Sequence, residues 1–338
     1  MRRNTLFTVI VLFLWASTLC FAGGEKEATG TKPELKSSET GEEESSLEVF
    51  PLTVTDDLGR KVRLEKVPER LVSLAPSSTE ILFAVGAGEE VVGVTTYCNY
   101  PPEAKTREKV GGFAPDTISV EKILSLNPGL VISGGSFHQS VIDTLESTGI
   151  TVYALDSHSF EEIYNSIETI GLLTGHREEA LKRIQYMREI EQKIASLVEK
   201  IPPEKRLKVF WEVWDEPLMT AGSNAFMGQI IEKAGGLNIF SDLKQDYPVI
   251  SQEEIVRRNP DVIMGPQSHA SALNAERIAE RPGWENISAV ENGRIYTLDD
   301  NISSRPGPRI VNALGLVVKT LYPELFEEAF GEADPENW

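Results

Sequence analysis

The sequence predicts an α/β protein built as two αβ lobes with parallel-rich sheets. One long rigid helix joins the lobes, and a ligand cleft lies between them. Three observations carry this. "SVEKILSLNPGLVI", starting at Ser119, shares Ser, Glu, Ile, Asn and Pro with "SQEEIVRRNPDVIM", starting at Ser251, at an offset of 132 residues. "VYALD" at Val152 returns as "IYTLD" at Ile295, in the same order after the first pair. Between the copies, Glu178 to Lys200 runs without Gly or Pro. Each copy reads as a serine opening a helix and an Asn-Pro that closes it, because the residue before proline avoids the helical region. A short apolar run then makes a buried strand, a crossover follows, and another strand ends in aspartate. Strands alternating with helices build βα units and parallel sheets.

Along the chain, Arg2 and Arg3 precede an apolar run from Leu6 to Leu19, and "CFAG" offers a cleavage site after Ala22. That run is short for a bilayer span, so residues 1–22 read as a signal peptide. Leu19 directly before Cys20 favours release of a soluble chain over lipidation. Residues 23–50 are polar and Glu-rich, and read as a disordered acidic tether. A tether suits a lipid anchor, so a lipid on Cys20 stays open. The rest divides into an N-terminal lobe (51–158), a helical linker (159–201) and a C-terminal lobe (202–338).

The chain has 338 residues, 41% of them hydrophobic, enough for two real cores, and a net charge of −19 that argues against nucleic acid as a partner. Besides Cys20 the only cysteine is Cys98. Stability therefore rests on packing rather than disulfides, with Cys98 a small buried residue.

Within the N-terminal lobe, Leu71–Leu74 is a strand. Ser77 with Glu80 three residues on reads as a capping box. Ile81, Leu82 and Val85 bury the helix, Gly86 and Gly88 end it, and "VVGVTTY" is the next strand. No Gly-x-Ser-x-Gly elbow accompanies these serines, so they are structural rather than catalytic. In the linker, Leu181, Ile184, Met187, Ile190, Ile194 and Leu197 form one stripe of an amphipathic helix about 35 Å long. Pro202 and Pro203 stop it.

Cleft residues should follow the carboxyl ends of strands. Tyr97, Tyr100, Phe113 and the run Gly134 to His138 do so in the first half, Trp214 and Tyr247 in the second. Alternation along "VFWEVWDEP" puts Trp211 and Val213 on one face and Glu212 and Trp214 on the other, which makes Trp214 the cleft residue. Exposed aromatics in loops suit a broad flat ligand. The four histidines (His138, His158, His176 and His269) are scattered, so no resident metal site or cofactor is expected. His138 and His269 fall in equivalent loops of the two halves, within reach of a ligand or of a metal it carries.

"PSSTEILFAVGAGEEVVGVTTYCNYPPEA", "LNPGLVI", the long helix, "IIEKAGGLNIF" and "SRPGPRIVNAL" together resemble the periplasmic substrate-binding proteins of the ferric-siderophore and cobalamin uptake class, which feed ABC importers. The likeness covers roughly 52–321 and is greatest to the cobalamin-binding members. It implies no enzymatic activity. It implies partners in an ABC permease dimer with its ATPase, membrane association only through that permease or a lipid on Cys20, and a location in the periplasm or another extracytoplasmic space. The transported ligand is cobalamin or, alternatively, a ferric siderophore or haem. By the same resemblance Tyr97, Phe113, Tyr247 and Arg305 contact the ligand, while Glu80 and Glu232 dock the permease, one glutamate near a helix end on each lobe. Arg309 is the structural arginine of its motif. Where the cobalamin binders carry an acidic residue this chain has Asn301. A two-lobed metal-cofactor enzyme is the competing class, and would need histidines or cysteines gathered in the cleft.

Overall fold

The computed structural model describes residues 50–267 and 273–338. The leader, the acidic tether as far as residue 49, Cys20 and His269 lie outside them. A hairpin of β1 (Leu52–Thr55) and β2 (Lys61–Leu64) opens the described chain. The first lobe then runs β3 (Leu71–Ser73), α1 (Pro76–Ala84), β4 (Val91–Val94), β5 (Glu108–Lys109), α2 (Val120–Ser125), β6 (Leu130–Ser133), α3 (Gln139–Ser147) and β7 (Val152–Ala154). Its sheet has the order β5-β4-β3-β6-β7, parallel throughout. Two helices, α4 (Phe160–Thr174) and α5 (Arg177–Val198), lead to the second lobe. That lobe runs β8 (Lys208–Asp215), β9 (Leu218–Thr220), α6 (Phe226–Lys233), β10 (Leu237–Asn238), α7 (Gln252–Arg258), β11 (Val262–Pro266), α8 (Ala275–Ala279), α9 (Ser288–Glu291), β12 (Ile295–Leu298), α10 (Asp300–Ser303), α11 (Ile310–Leu321) and α12 (Pro323–Phe330). Its sheet order is β10-β8-β11-β12, parallel, with β9 antiparallel on β8.

The two echoes are the same structure twice. Ser119 caps α2 by accepting from Lys122 N at 3.3 Å, and Ser251 caps α7 by accepting from Glu254 N at 3.3 Å. Asn127 and Asn259 follow with φ of 47° and 46°, left-handed conformations that asparagine tolerates and that stop a helix ahead of proline. The strands then pair in one register: Val131 opposite Val152 in the first sheet, Ile263 opposite Ile295 in the second. Residues 132 and 143 apart are thus partners twice over.

Period-two alternation distributes the strands between cores. Leu71, Leu130, Ile132 and Tyr153 from the first sheet, and Val209, Trp211, Val262 and Met264 from the second, enter one shared core together with Ile184, Met187, Ile190 and Ile194 of α5. The opposite faces fill separate cores, with Val72, Val131 and Val152 in one and Phe210 and Ile263 in the other. Trp211 is only 3% exposed, as alternation predicts. The bridging helix therefore has both sheets packed into the hydrophobic cluster it lines.

Two expectations change, and the linker gains a second helix ahead of the expected one. The first helix begins at Pro76 with Ala75 as a cap that has no side-chain bond, so Ser77 and Glu80 form no capping box. Proline's fixed φ suits the first helical position and starts the helix early. Ser78 instead donates to Ala75 O at 2.9 Å and meets Ser73 Oγ at 2.7 Å, inside the lobe. The linker holds two helices, because Gly175 adopts φ 76° and breaks the segment into a hairpin. In α5 the apolar stripe is buried except Leu181, which is 41% exposed.

Candidate functional site

The aromatic residues expected in the cleft are held out by their loops. Tyr97, Phe113, Phe137 and Tyr247 are 60%, 37%, 53% and 50% exposed. Leaving this much aromatic surface in water is unfavourable unless something covers it. Two glycines set the geometry. Gly111 has φ 131°, and a Cβ there would lie 2.2 Å from Thr117 O. Gly135 has φ 61°, and a Cβ there would lie 2.4 Å from Asp156 Cγ. Only glycine fits at either position. The loops so formed stack Phe113 on Phe137, ring centroids 5.1 Å apart and nearly parallel at 14°. Phe137 belongs to the run Gly134 to His138 expected in the cleft, and the stack makes it the aromatic partner of Phe113. Its place in the loop after β6 was the available signal.

His138 lies beneath the stack, fully buried. Gly134 N donates to its Nδ1 at 2.8 Å, so the ring proton sits on Nε2, which donates to Phe113 O at 2.8 Å. Burial holds its pKa below the usual histidine value, against a smaller opposing effect of the Phe113 carbonyl. Both ring nitrogens serve the backbone, so His138 has none to offer a metal-carrying ligand. It clamps the Phe113 loop to the Phe137 loop. Among the described residues no three His, Cys, Asp or Glu side chains are gathered to hold a metal ion.

On the second lobe, Tyr247 stands on a loop tied to β9 by Thr220 N donating to Pro248 O at 3.1 Å. Trp214 is half-buried near the end of β8, and its indole N–H donates to Glu216 O at 2.8 Å, closing the turn into β9. A cavity of ≈ 510 Å³ draws walls from both lobes and the linker: His158 from the first lobe, Ser159 and Glu162 from the start of α4, and Ser223, Asn224, Gln229 and Asp246 from the second. Gln229 Nε2 crosses between them to donate to His158 O at 2.8 Å. The walls beside Tyr247 are polar and carry Glu162 and Asp246, with Lys244 Nζ reaching the wall residue Ser223 at 3.4 Å.

Arg305 is placed differently from the expectation. Its Nη1 donates to Glu80 Oε1 at 2.9 Å and to Asn99 Oδ1 at 2.8 Å, and its Nη2 donates to Tyr97 O at 3.3 Å and to Asn301. Arg309 adds Nε to Glu80 Oε2 at 2.9 Å and Nη2 to Glu80 Oε1 at 2.6 Å, with its guanidinium 3.9 Å from the Tyr100 ring centroid. The guanidinium expected at the ligand edge is thus a strut across the lobes. Asn301, at the position expected to be acidic, completes the knot. Cys98 is buried beneath the same loop, 3.1 Å from Thr95 Oγ1.

Glu80 cannot dock a partner, because it is 2% exposed and held by two arginines. Glu232, the penultimate residue of α6, is exposed. The echo supplies another pair. Glu121 and Glu253 each sit in the first turn of their helix, one on each lobe, both exposed. Acidic side chains there are favoured by the helix dipole.

Comparison with known proteins agrees with this architecture. The family model described as periplasmic binding protein matches residues 71–302. The uncharacterized ABC transporter substrate-binding lipoprotein YvrC of Bacillus subtilis (strain 168) is 34% identical over 320 residues, covering 93% of this chain and 98% of that one. A cobalamin-binding protein of Halobacterium salinarum is 31% identical over 280 residues, covering 81% of this chain and 74% of its own. Among solved structures, the periplasmic heme-binding protein RhuT from Roseiflexus sp. RS-1 has a TM-score of 0.67 at 26% identity, covering 76% of this chain and 99% of that one.

Proposed function

This chain belongs to the periplasmic binding protein family, and we propose that it captures a corrinoid, cobalamin or a near relative, outside the cytoplasm and delivers it to an ABC importer. Its role is binding, with no chemistry on the cargo. One observation carries the choice of ligand: among the described residues no free guanidinium stands beside the exposed aromatic side chains Tyr97, Phe113, Phe137 and Tyr247. Arg305 is spent on Glu80 and its neighbours, and the adjoining cavity is walled by Glu162 and Asp246. An anionic ferric chelate is recognised through arginines, whereas a large, amide-fringed and weakly charged ring system needs apolar area and scattered polar groups. The cobalamin-binding relative supports the same reading. The alternative cargo, haem or a ferric siderophore, draws on the likeness to RhuT. It requires an iron ligand other than His138.

Absorbance and calorimetric titration of ligand-stripped protein with cyanocobalamin, haemin and a ferric siderophore tests this. Saturable cobalamin binding is expected. Tight haemin binding with no response to cobalamin would transfer the assignment to the alternative.

The importer's permease is read as docking on Glu121 and Glu253 in place of Glu80, because one exposed glutamate per lobe is what such a partner needs. The lipoprotein relative favours a lipid on Cys20, with residues 23–50 as its tether, over cleavage after Ala22, which would remove that cysteine. Loss of palmitate labelling in Cys20→Ser is its measurement, and unchanged labelling would remove it.

A further inference from the structure

We propose that the chain carries a second ligand site, apart from the aromatic surface, which takes a small organic monocarboxylate. The site is a cavity of ≈ 230 Å³ where α1, α5 and the approach to α11 meet. Its walls include Phe83, Ala84, Tyr100 and Trp338, with Arg183 and Arg309 as the cationic groups and Glu80 as the carboxylate. At about 30 Å³ per water it has room for about seven or eight waters, enough for an acid the size of benzoate.

The case rests on Arg183. Its Nη2 donates to Pro308 O at 3.2 Å, and its guanidinium lies 5.1 Å from the Tyr186 ring centroid. Its Nε is buried with no acceptor. Among the described residues no carboxylate pairs with it, and the groups acting on its charge are Tyr186 and Tyr100. Glu80, the carboxylate in the walls, is already held by two guanidiniums, Arg305 and Arg309, and so has no charge left over for Arg183. A guanidinium partly stripped of water and left without a counter-charge is unfavourable. A carboxylate arriving through the cavity would accept two parallel N–H bonds from Nη1 and from the second hydrogen of Nη2, an end-on geometry that guanidinium suits. The aromatic and proline walls then call for an apolar body behind the carboxylate, which a bare inorganic anion lacks. An occupant would touch residues of α1, α5 and the second lobe together, beside the Glu80 knot.

Ligand-observed NMR titration with sodium benzoate at constant ionic strength is the test. Saturable binding is expected to the wild type. It should weaken at least tenfold in Arg183→Gln and in Ala84→Met, which fills the cavity without altering charge. Tyr247→Ala, on the aromatic surface, should leave it unchanged. Should Arg183→Gln fail to fold, Ala84→Met and Arg183→Lys decide the matter. Absence of benzoate binding, equal binding to the cavity variants, loss in Tyr247→Ala, or inorganic phosphate binding as well as benzoate would each overturn the proposal.

Discussion

At the scale of single residues, two groups of side chains have opposite fates that composition does not reveal. Tyr97 and Tyr247 stay exposed, while His138 is buried and neutral. Tyr97→Ala and Tyr247→Ala should each weaken cargo binding by about 2 kcal/mol or more, a tenfold to hundredfold loss. Melting temperature should barely move, because little folded-state burial is lost. Calorimetry and thermal melts on the same samples check this, and unstable variants would mean these tyrosines serve the fold. His138 gives a pH dependence with a definite sign. Its folded pKa lies below the unfolded value of about 6.5, so the unfolded chain takes up the proton first. Stability is full above about pH 6.5 and falls as pH drops from there toward the folded pKa. Protonating Nδ1 also breaks its bond with Gly134 N, so cargo affinity should fall in the same range. His138→Gln should flatten that part of the profile in stability and affinity alike. An unaltered profile would show that His138 does not clamp the stack.

At the scale of elements, the repeat was the most readable feature and the capping box the least. A serine cap, an asparagine before proline and a short apolar run are local signals, and their recurrence survived folding with the same strand register. The Ser77–Glu80 pattern is local too, yet Pro76 claimed the helix start and Glu80 found partners elsewhere. The echo also carries the docking proposal. Glu121→Arg with Glu253→Arg should abolish uptake through the cognate importer and leave cargo affinity nearly unchanged, since exposed charges govern association more than folding. Uptake assays beside calorimetry separate the two effects. Normal uptake in that pair, with loss in Glu232→Arg, would return the role to Glu232.

At the scale of the whole molecule, both sheets and α5 share one hydrophobic core, and the Glu80 knot adds a polar tie between the lobes. Removing one partner from such a buried pair leaves uncompensated charge, which costs about 3–5 kcal/mol. Glu80→Ala should therefore lower stability by that order, with Arg305 and Arg309 left unpaired, and the loss should be nearly independent of salt because the pair is screened from solvent. Chemical denaturation at low and high ionic strength measures it. A loss under about 1 kcal/mol would make the knot no stronger than a surface pair.

The sequence by itself determined the two-lobed α/β plan, the twin helix-strand units, the inward face of Trp211 and the aromatic character of the loops. Each of these follows from periodicity or spacing within a few dozen residues, or from comparing one such stretch with another. Only the tertiary structure decided that Glu80 is a strut, that Arg305 is already occupied, that His138 has no free nitrogen, and that Arg183 faces a cavity without a counter-charge. The physical reason is separation along the chain. Glu80 and Arg305 are 225 residues apart, and a charge's role depends on which group of opposite sign reaches it once both are stripped of water.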